Sequence, residues 1–202
     1  MLNKKITFFS YEEIKKKEIV QACLRVVDKY GIKGATIKNI TSEVGVVESA
    51  LYRHFPSKKD IFIRILKETS KMFESIINDV EKLDADSLKK LELILEKQLE
   101  LLKSYPGLIR IVYSDEIYMR DDILLDKINN FLKRLVAKIE EIIKEGVEQK
   151  IIKPNIDSFI VSMNFLGIIQ MSFSYWSLRN RELPLPQISK EFLFNFFNGI
   201  KE

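Results

Sequence analysis

The chain has 202 residues, 46% apolar and 31% charged, with a net charge of +4, seven Gly, five Pro, one Cys and one His. This is the composition of a soluble globular protein long enough to bury a core in one or two domains, and so little Gly and Pro disfavours a turn-rich β architecture. One cysteine excludes an internal disulfide or a cysteine-cluster zinc site, and one histidine excludes a multi-histidine metal site or a triad with a separate histidine base.

The opening stretch MLNKKITFFSYEE has no apolar core of signal-peptide length, which predicts a cytoplasmic protein. A first helix is expected from Tyr11 to Tyr30, with Ile14, Ile19, Ala22, Cys23, Val26 and Val27 on one stripe and Gly31 as its stop. Cys23 lies on the apolar side, the setting of an inert structural thiol; a redox sensor would need exposure and a nearby cation. Thr36 can cap a second helix whose Ile37, Ile40 and Val44 recur at helical spacing. Gly45 sits where a tight turn needs positive φ. A third helix, roughly Val47 to His54, then buries Ala50 and Leu51 and turns Glu48, Ser49, Tyr52 and Arg53 outward. Helix, Gly turn, helix is the layout of a DNA-reading helix-turn-helix. The bland reading is a helical corner that only packs, but the polar residues fall on the side that would meet a groove.

Charge agrees with that reading. Residues 1–60 carry 12 Lys/Arg against 7 Asp/Glu, whereas residues 61–202 carry 21 against 22, so the positive balance lies wholly in the first part.

Ser57 is a good cap for a fourth helix reaching about Leu83, whose Phe62, Ile65, Leu66, Met72, Phe73, Ile76 and Val80 can pack on both halves of the chain. Asp84–Ser87 reads as a break, followed by a leucine-striped helix to about Lys103. Pro106 and Gly107 interrupt before a shorter helix over 108–118. A long amphipathic helix is expected over 121–150, with Leu125, Ile128, Leu132, Leu135, Ile139 and Ile142 at steps of three and four. After Pro154, Asn155 or Asp157 caps a helix to about Arg179 that is apolar around its whole circumference. Its Ser162, Asn164, Gln170, Ser172, Ser174 and Ser177 argue against a membrane span. Pro184 and Pro186 mark a loop, and a last helix carries Ile188, Phe192, Phe196, Phe197 and Ile200. The fold class is all-α, about nine helices: a three-helix helix-turn-helix domain over 1–60, its following helix continuing to about 83 as connector, and a helical bundle over 61–202.

The segment from Tyr11 to Lys71 resembles the N-terminal domain of the TetR/AcrR family of bacterial transcriptional regulators. The matching residues are Tyr30-Gly31, Thr36, Ile40, Val44-Gly45-Val46, Leu51-Tyr52-Arg53-His54-Phe55 and Ser57-Lys58-Lys59-Asp60-Ile61. This resemblance implies a homodimer on a pseudo-palindromic site of double-stranded DNA. Thr36, Tyr52, His54 and Lys58 would then contact phosphate, Lys38 would lie near base edges or phosphate, and Val47, Glu48 and Ser49 would read sequence, with Arg53 on the same face. Two positions depart from the family pattern. Val47 replaces a small hydroxyl at the recognition-helix cap, and Glu48 puts a carboxylate where it either accepts from a cytosine amino group or complements the helix dipole.

For the second half, the resemblance implies an effector cavity and a dimer seam. Phe73, Tyr113, Tyr118, Phe131, Phe173 and Trp176 would line the cavity, with Asn164 and Gln170 orienting a small, largely apolar ligand. Phe159, Met163, Leu166, Phe173, Phe192 and Phe196 would form the seam, since they make too large an apolar patch for a monomer. The reading is a ligand-released repressor that needs no cofactor, no metal and no membrane. An enzyme is disfavoured by the lone histidine and by the absence of a Gly-rich phosphate loop, and the acidic pairs Asp115-Glu116 and Asp121-Asp122 read as helix-end caps. The remaining alternative is a helical protein-interaction module that has lost specific DNA binding.

Overall fold

The computed structural model describes residues 11–118, 121–179, 181–182 and 184–201. Residues 1–10, on which the reading of the leader rests, lie outside them. The described residues form ten helices and no strand, apart from one isolated bridge between Ile152 and Lys201.

Helix α1 (Tyr11–Gly34) runs past the expected stop: Gly31 kinks it and one further turn follows. Its buried stripe is Ile19, Ala22, Cys23, Val26 and Val27, while Ile14 is exposed. Cys23 is fully buried, and desolvation pushes its thiol up to about 12, the behaviour of an inert core sulfur. Helices α2 (Ile37–Val44) and α3 (Glu48–Tyr52) make the helix-turn-helix, closed by Ile40, Leu51 and Phe55 against α1.

Helix α4 (Lys58–Glu81) serves both bodies. Ile61, Phe62 and Ile65 pack in the first, and Phe73, Ile77 and Val80 pack among α5 (Ser87–Ser104) and α8 (Asp122–Glu148). The register differs slightly from expectation, because Ile77 is buried where Ile76 is only half-buried. The stripe of α8 is likewise rotated. Leu124 and Phe131 are buried, whereas Leu125 and Leu132 are only partly covered. The helix expected over 108–118 is two pieces, α6 (Gly107–Val112) and α7 (Asp115–Tyr118), which accounts for ten helices rather than nine.

Helix α9 (Ser158–Leu178), capped by Asp157, crosses α8 and α10 (Leu185–Ile200). By length and composition it could cross a membrane. Here Val161, Phe165, Ile169, Phe173 and Trp176 are buried within the bundle. Its opposite stripe, Ile160, Met163, Gly167, Met171, Tyr175 and Leu178, is exposed. A single chain therefore leaves one side of this all-apolar helix uncovered. Pro184 and Pro186 do not form a loop either. Pro184 is the N-cap of α10 and Pro186 lies in its first turn, where a missing N–H costs nothing.

The two bodies meet most tightly where α6 crosses α1. A Cβ built on Gly107 would lie 2.3 Å from the Leu24 carbonyl oxygen, so only glycine permits this approach. Three ion pairs brace the junction: Lys59–Asp121 at 2.7 Å, Arg64–Glu13 at 2.7 Å, and Arg181–Asp28. The Lys59 ammonium holds the Asp121 carboxyl below its ordinary range while Asp121 also caps α8.

Gly107→Ala must force α1 and α6 apart, because the obstructing atom is backbone. The expected cost is about 1–3 kcal/mol, typical of an overpacked contact. A melting temperature equal to that of the unaltered protein would contradict the close crossing.

Candidate nucleic-acid interface and effector cavity

The surface that the sequence assigns to DNA is built by two caps and a turn. Thr36 Oγ1 accepts from the Asn39 N–H at 3.1 Å, and Asn39 Nδ2 donates to the Gly34 carbonyl at 2.8 Å. Capping uses the Thr36 hydroxyl only as an acceptor, so its O–H is left to donate outward. Gly45 adopts φ 80° and donates its N–H to the Thr41 carbonyl at 2.9 Å, which turns the chain into α3. Arg25 ties α1 to α2 through Glu43 at 2.6 Å.

Helix α3 is shorter than the expected 47–54. It has five residues, with Arg53 at its C-cap and His54 in the turn beyond. Leu51 is fully buried and anchors it, and its carbonyl accepts from the N–H groups of His54 and Phe55. Val47, which stands where the family pattern has a small hydroxyl, supplies no capping side chain, so α3 starts without one. Glu48 occupies the first turn, where its charge complements the helix dipole.

Thr36, Lys38, Val47, Glu48, Ser49, Tyr52 and Arg53 are all exposed. His54 is half-buried, with Nδ1 enclosed and unpartnered. The Ser57 hydroxyl caps α4 by accepting from the Asp60 N–H and donates to the Asp60 carboxylate at 2.7 Å. Lys58 follows it, half-buried, with its ammonium 5.6 Å from the Phe62 ring centre.

In the second body, the expected ligand residues divide. Phe73 and Phe131 are buried edge to face at 5.8 Å, and with Tyr113 they line a narrow void between α4, α5, α6, α8 and α9. Its volume is about 10 Å³. Tyr118 is buried, but its hydroxyl donates to the Ile111 carbonyl and its pKa is raised by burial, so it serves the α6–α7 corner. Phe173 and Trp176 meet at a tilt of 49° with ring centres 5.1 Å apart, away from the void lining. Gln170 is half-buried and outside that lining too. Asn164 is exposed on the outer stripe of α9, so it cannot orient a ligand in the interior.

Sequence reading missed Gln98. It is fully buried on the leucine stripe of α5, it lines the void, and both its amide oxygen and its amide nitrogen lack a hydrogen-bonding partner within the protein. A glutamine among Leu95, Leu99 and Leu102 was the available signal. Burying an unpaired amide costs about 1–3 kcal/mol, which evolution seldom accepts without a use.

The expected dimer residues divide as well. Phe159 and Met163 on α9 and Phe192 on α10 are exposed, and Phe194 joins them. Phe196 is half-buried against Phe165 and Phe197. Leu166 and Phe173 are buried in the core of the single chain, so they are not available to a surface seam.

Comparison with known proteins follows the same division. Residues 19–65 match the model of the N-terminal region of bacterial regulatory proteins of the tetR family, and residues 66–197 match that of the YsiA-like protein C-terminal region. The nucleoid occlusion factor SlmA of Aliivibrio fischeri is 29% identical over 160 residues, 79% of this chain and 82% of that protein. The structure of the regulator FadR from Bacillus subtilis in complex with stearoyl-CoA superposes with a TM-score of 0.76 at 24% identity, covering 91% of this chain and 98% of that one. That of AibR in complex with isovaleryl coenzyme A and operator DNA gives 0.77 at 19% identity, with the same coverage.

Gln98→Leu removes the two unpaired amide atoms at nearly constant volume. The ligand-free protein is expected to gain about 1–2 kcal/mol, read as a higher melting temperature; a loss of stability would show that the amide is satisfied.

Proposed function

Starting from a chain that belongs to the tetR family of bacterial regulatory proteins, we propose that it works in the cytoplasm as a homodimeric repressor that an acyl ligand releases from its operator. Residues 1–60 are the reading head, α4 is the connector, and the remainder binds effector and partner. DNA binding follows from family membership. Phosphate contacts from Thr36, Tyr52, His54 and Lys58 set affinity and register, and Val47, Glu48 and Ser49 meet base edges beside Lys38 and Arg53. A five-residue α3 is only about 7.5 Å long, so its first turn does most of the reading.

The dimer is formed by the uncovered faces of α9 and α10. Phe159, Met163, Met171, Tyr175, Phe192 and Phe194 are exposed on these two helices, apolar surface for a second copy to cover, and a twofold pairing sets two reading heads one duplex turn, about 34–36 Å, or a multiple apart.

The observation that carries the ligand reading is Gln98, an unpaired amide in an apolar void whose α6 wall, Ile109 and Val112, adjoins Gly107 at the α1 contact. An effector that opens the void to reach Gln98 pushes α6, and α6 cannot move without moving Leu24 on α1. The acyl-CoA ligands of FadR and AibR support an acyl thioester as its chemical class. Full release requires that ligand favour the non-binding state by about 10⁴-fold, or about 5.5 kcal/mol.

Gel shifts on the DNA upstream of its own gene test this reading. Salt-sensitive, sequence-selective binding is expected, and palmitoyl-CoA at micromolar concentration should abolish it. Tyr52→Ala and Lys58→Ala should each weaken operator binding about tenfold with the dimer intact, and Lys58→Ala should reduce the salt slope by about one. Equal binding by the wild type and both variants would favour an interaction module over a regulator.

A further inference from the structure

Beside the Gly107–Leu24 crossing lies a cleft of about 270 Å³ between α1, α4 and α6. Both bodies and the connector contribute walls: Val20 and Leu24 from α1, Ile65, Thr69 and Met72 from α4, and Leu108 from α6. Tyr105, the C-cap of α5, lines it too. Lys17 and Gln21 on α1 and Glu68 on α4 complete the lining, and Glu68 accepts from Arg64 at 2.6 Å. The lining thus carries one charge of each sign, with no excess to attract an ion.

Thr69 indicates what the cleft holds. Its side chain is fully buried, and its hydroxyl has no hydrogen-bonding partner within the protein. A threonine or serine inside a helix can donate to a carbonyl three or four residues back. Other buried hydroxyls of this chain do so: Thr41 donates to the carbonyls of Ile37 and Lys38, Ser162 to that of Ser158, and Ser189 to that of Leu185. Thr69 and Ser172 depart from that habit, and of the two Thr69 lines the cleft. An ordered water needs about two to four polar partners. Of the buried lining residues Val20, Leu24, Ile65, Thr69 and Leu108, only Thr69 is polar, so a water would be poorly held there. An oxygen carried on an apolar body suits the place better. Met72 and Tyr105, both half-buried, offer a thioether and a ring to an aromatic group. The volume falls just under the range of drug-sized sites, about 300–1,000 Å³, which sets a small ligand.

We propose that this cleft binds a small uncharged aromatic molecule bearing one hydroxyl, which pairs with Thr69 Oγ1 while the ring lies among Val20, Leu24, Met72 and Leu108. Such a ligand touches reading head, connector and α6 at once, so it favours the arrangement of the two bodies in which the cleft exists. Leu108 lines the cleft, whereas Ile109 and Val112 line the Gln98 void, so one six-residue helix separates the two sites. A ligand that holds α6 against α1 opposes one that displaces α6 from the void, and linkage makes that antagonism reciprocal. The site stands independently of the void; only the antagonism rests on the effector reading.

Methyl resonances of the full-length protein, titrated with 4-methylphenol and with toluene, test the site. The two probes share ring and methyl group and differ in the hydroxyl. Saturable shifts are expected at Val20, Leu24, Ile65 and Leu108 rather than at Leu102, Ile109, Val112 and Leu135 around the void. Toluene should bind about five- to tenfold more weakly, for want of one hydrogen bond. Thr69→Val, which puts a methyl in place of the hydroxyl, should lower 4-methylphenol to the affinity of toluene and leave toluene unchanged. Thr69→Ser keeps the hydroxyl and should keep the preference, and wild-type melting temperatures establish that both variants are folded. No saturable shift at the cleft methyls, shifts confined to the void, or equal 4-methylphenol binding by wild type and Thr69→Val would overturn the assignment. On the operator complex, saturating 4-methylphenol should raise the palmitoyl-CoA concentration needed for release by at least about fivefold. An unchanged requirement would overturn the antagonism. An operator complex that palmitoyl-CoA never releases would overturn the effector reading, while the methyl titration still decides the cleft.

Discussion

The contact between Gly107 and the Leu24 carbonyl fixes the relation between reading head and bundle. At that crossing α6 lies against the α1 backbone with no side chain between them, so there is no flexible group to absorb a shift. Close-packed interfaces of this kind respond by moving as units rather than deforming. The other face of the same six-residue helix is a wall of the Gln98 void. Six residues therefore separate the place where a ligand would bind from the helix that carries the helix-turn-helix.

The ion pairs around this junction add register more than stability. Lys59–Asp121 and Arg64–Glu13 join partly exposed groups, where an ion pair contributes little net free energy. Their effect is to bias which relative placement of the two bodies is occupied. Arg181 acts similarly: it lies over Trp176 and reaches Asp28 on α1, tying the end of α9 to the reading head. Since α9 also presents the uncovered apolar stripe, the proposed dimer seam, the void wall and the helix-turn-helix body share a short mechanical path.

Much of this was legible in the sequence where local chemistry decides the outcome. Thr36, Gly45 and Ser57 each do by themselves what their residue type permits, as cap, left-handed turn and cap, and the structure places each in that role. Helix existence followed from periodicity, whereas its phase did not. A one-residue rotation buries Phe131 rather than Leu132 and Ile77 rather than Ile76, and only neighbouring helices set it. Asn164 and Phe173 show the same limit on α9. On a helix apolar on every side, composition cannot say which side faces the core, so a residue expected in the cavity lies outside and one expected in the seam lies within. Gln98 was readable in principle as a polar break in a leucine stripe, but its unpaired state is a property of the surroundings.

The central claim is that filling the bundle moves the reading heads, and an inter-head distance tests it most directly. A spin label at Tyr30→Cys, exposed just before the kink of α1 while the native Cys23 is buried, reports one label-to-label distance across the dimer by pulsed electron resonance. The account predicts a single distance on operator DNA that shifts by several ångströms, with loss of the DNA, when palmitoyl-CoA is added. No measurable pair distance, or the same distance with and without a bound ligand, would contradict it.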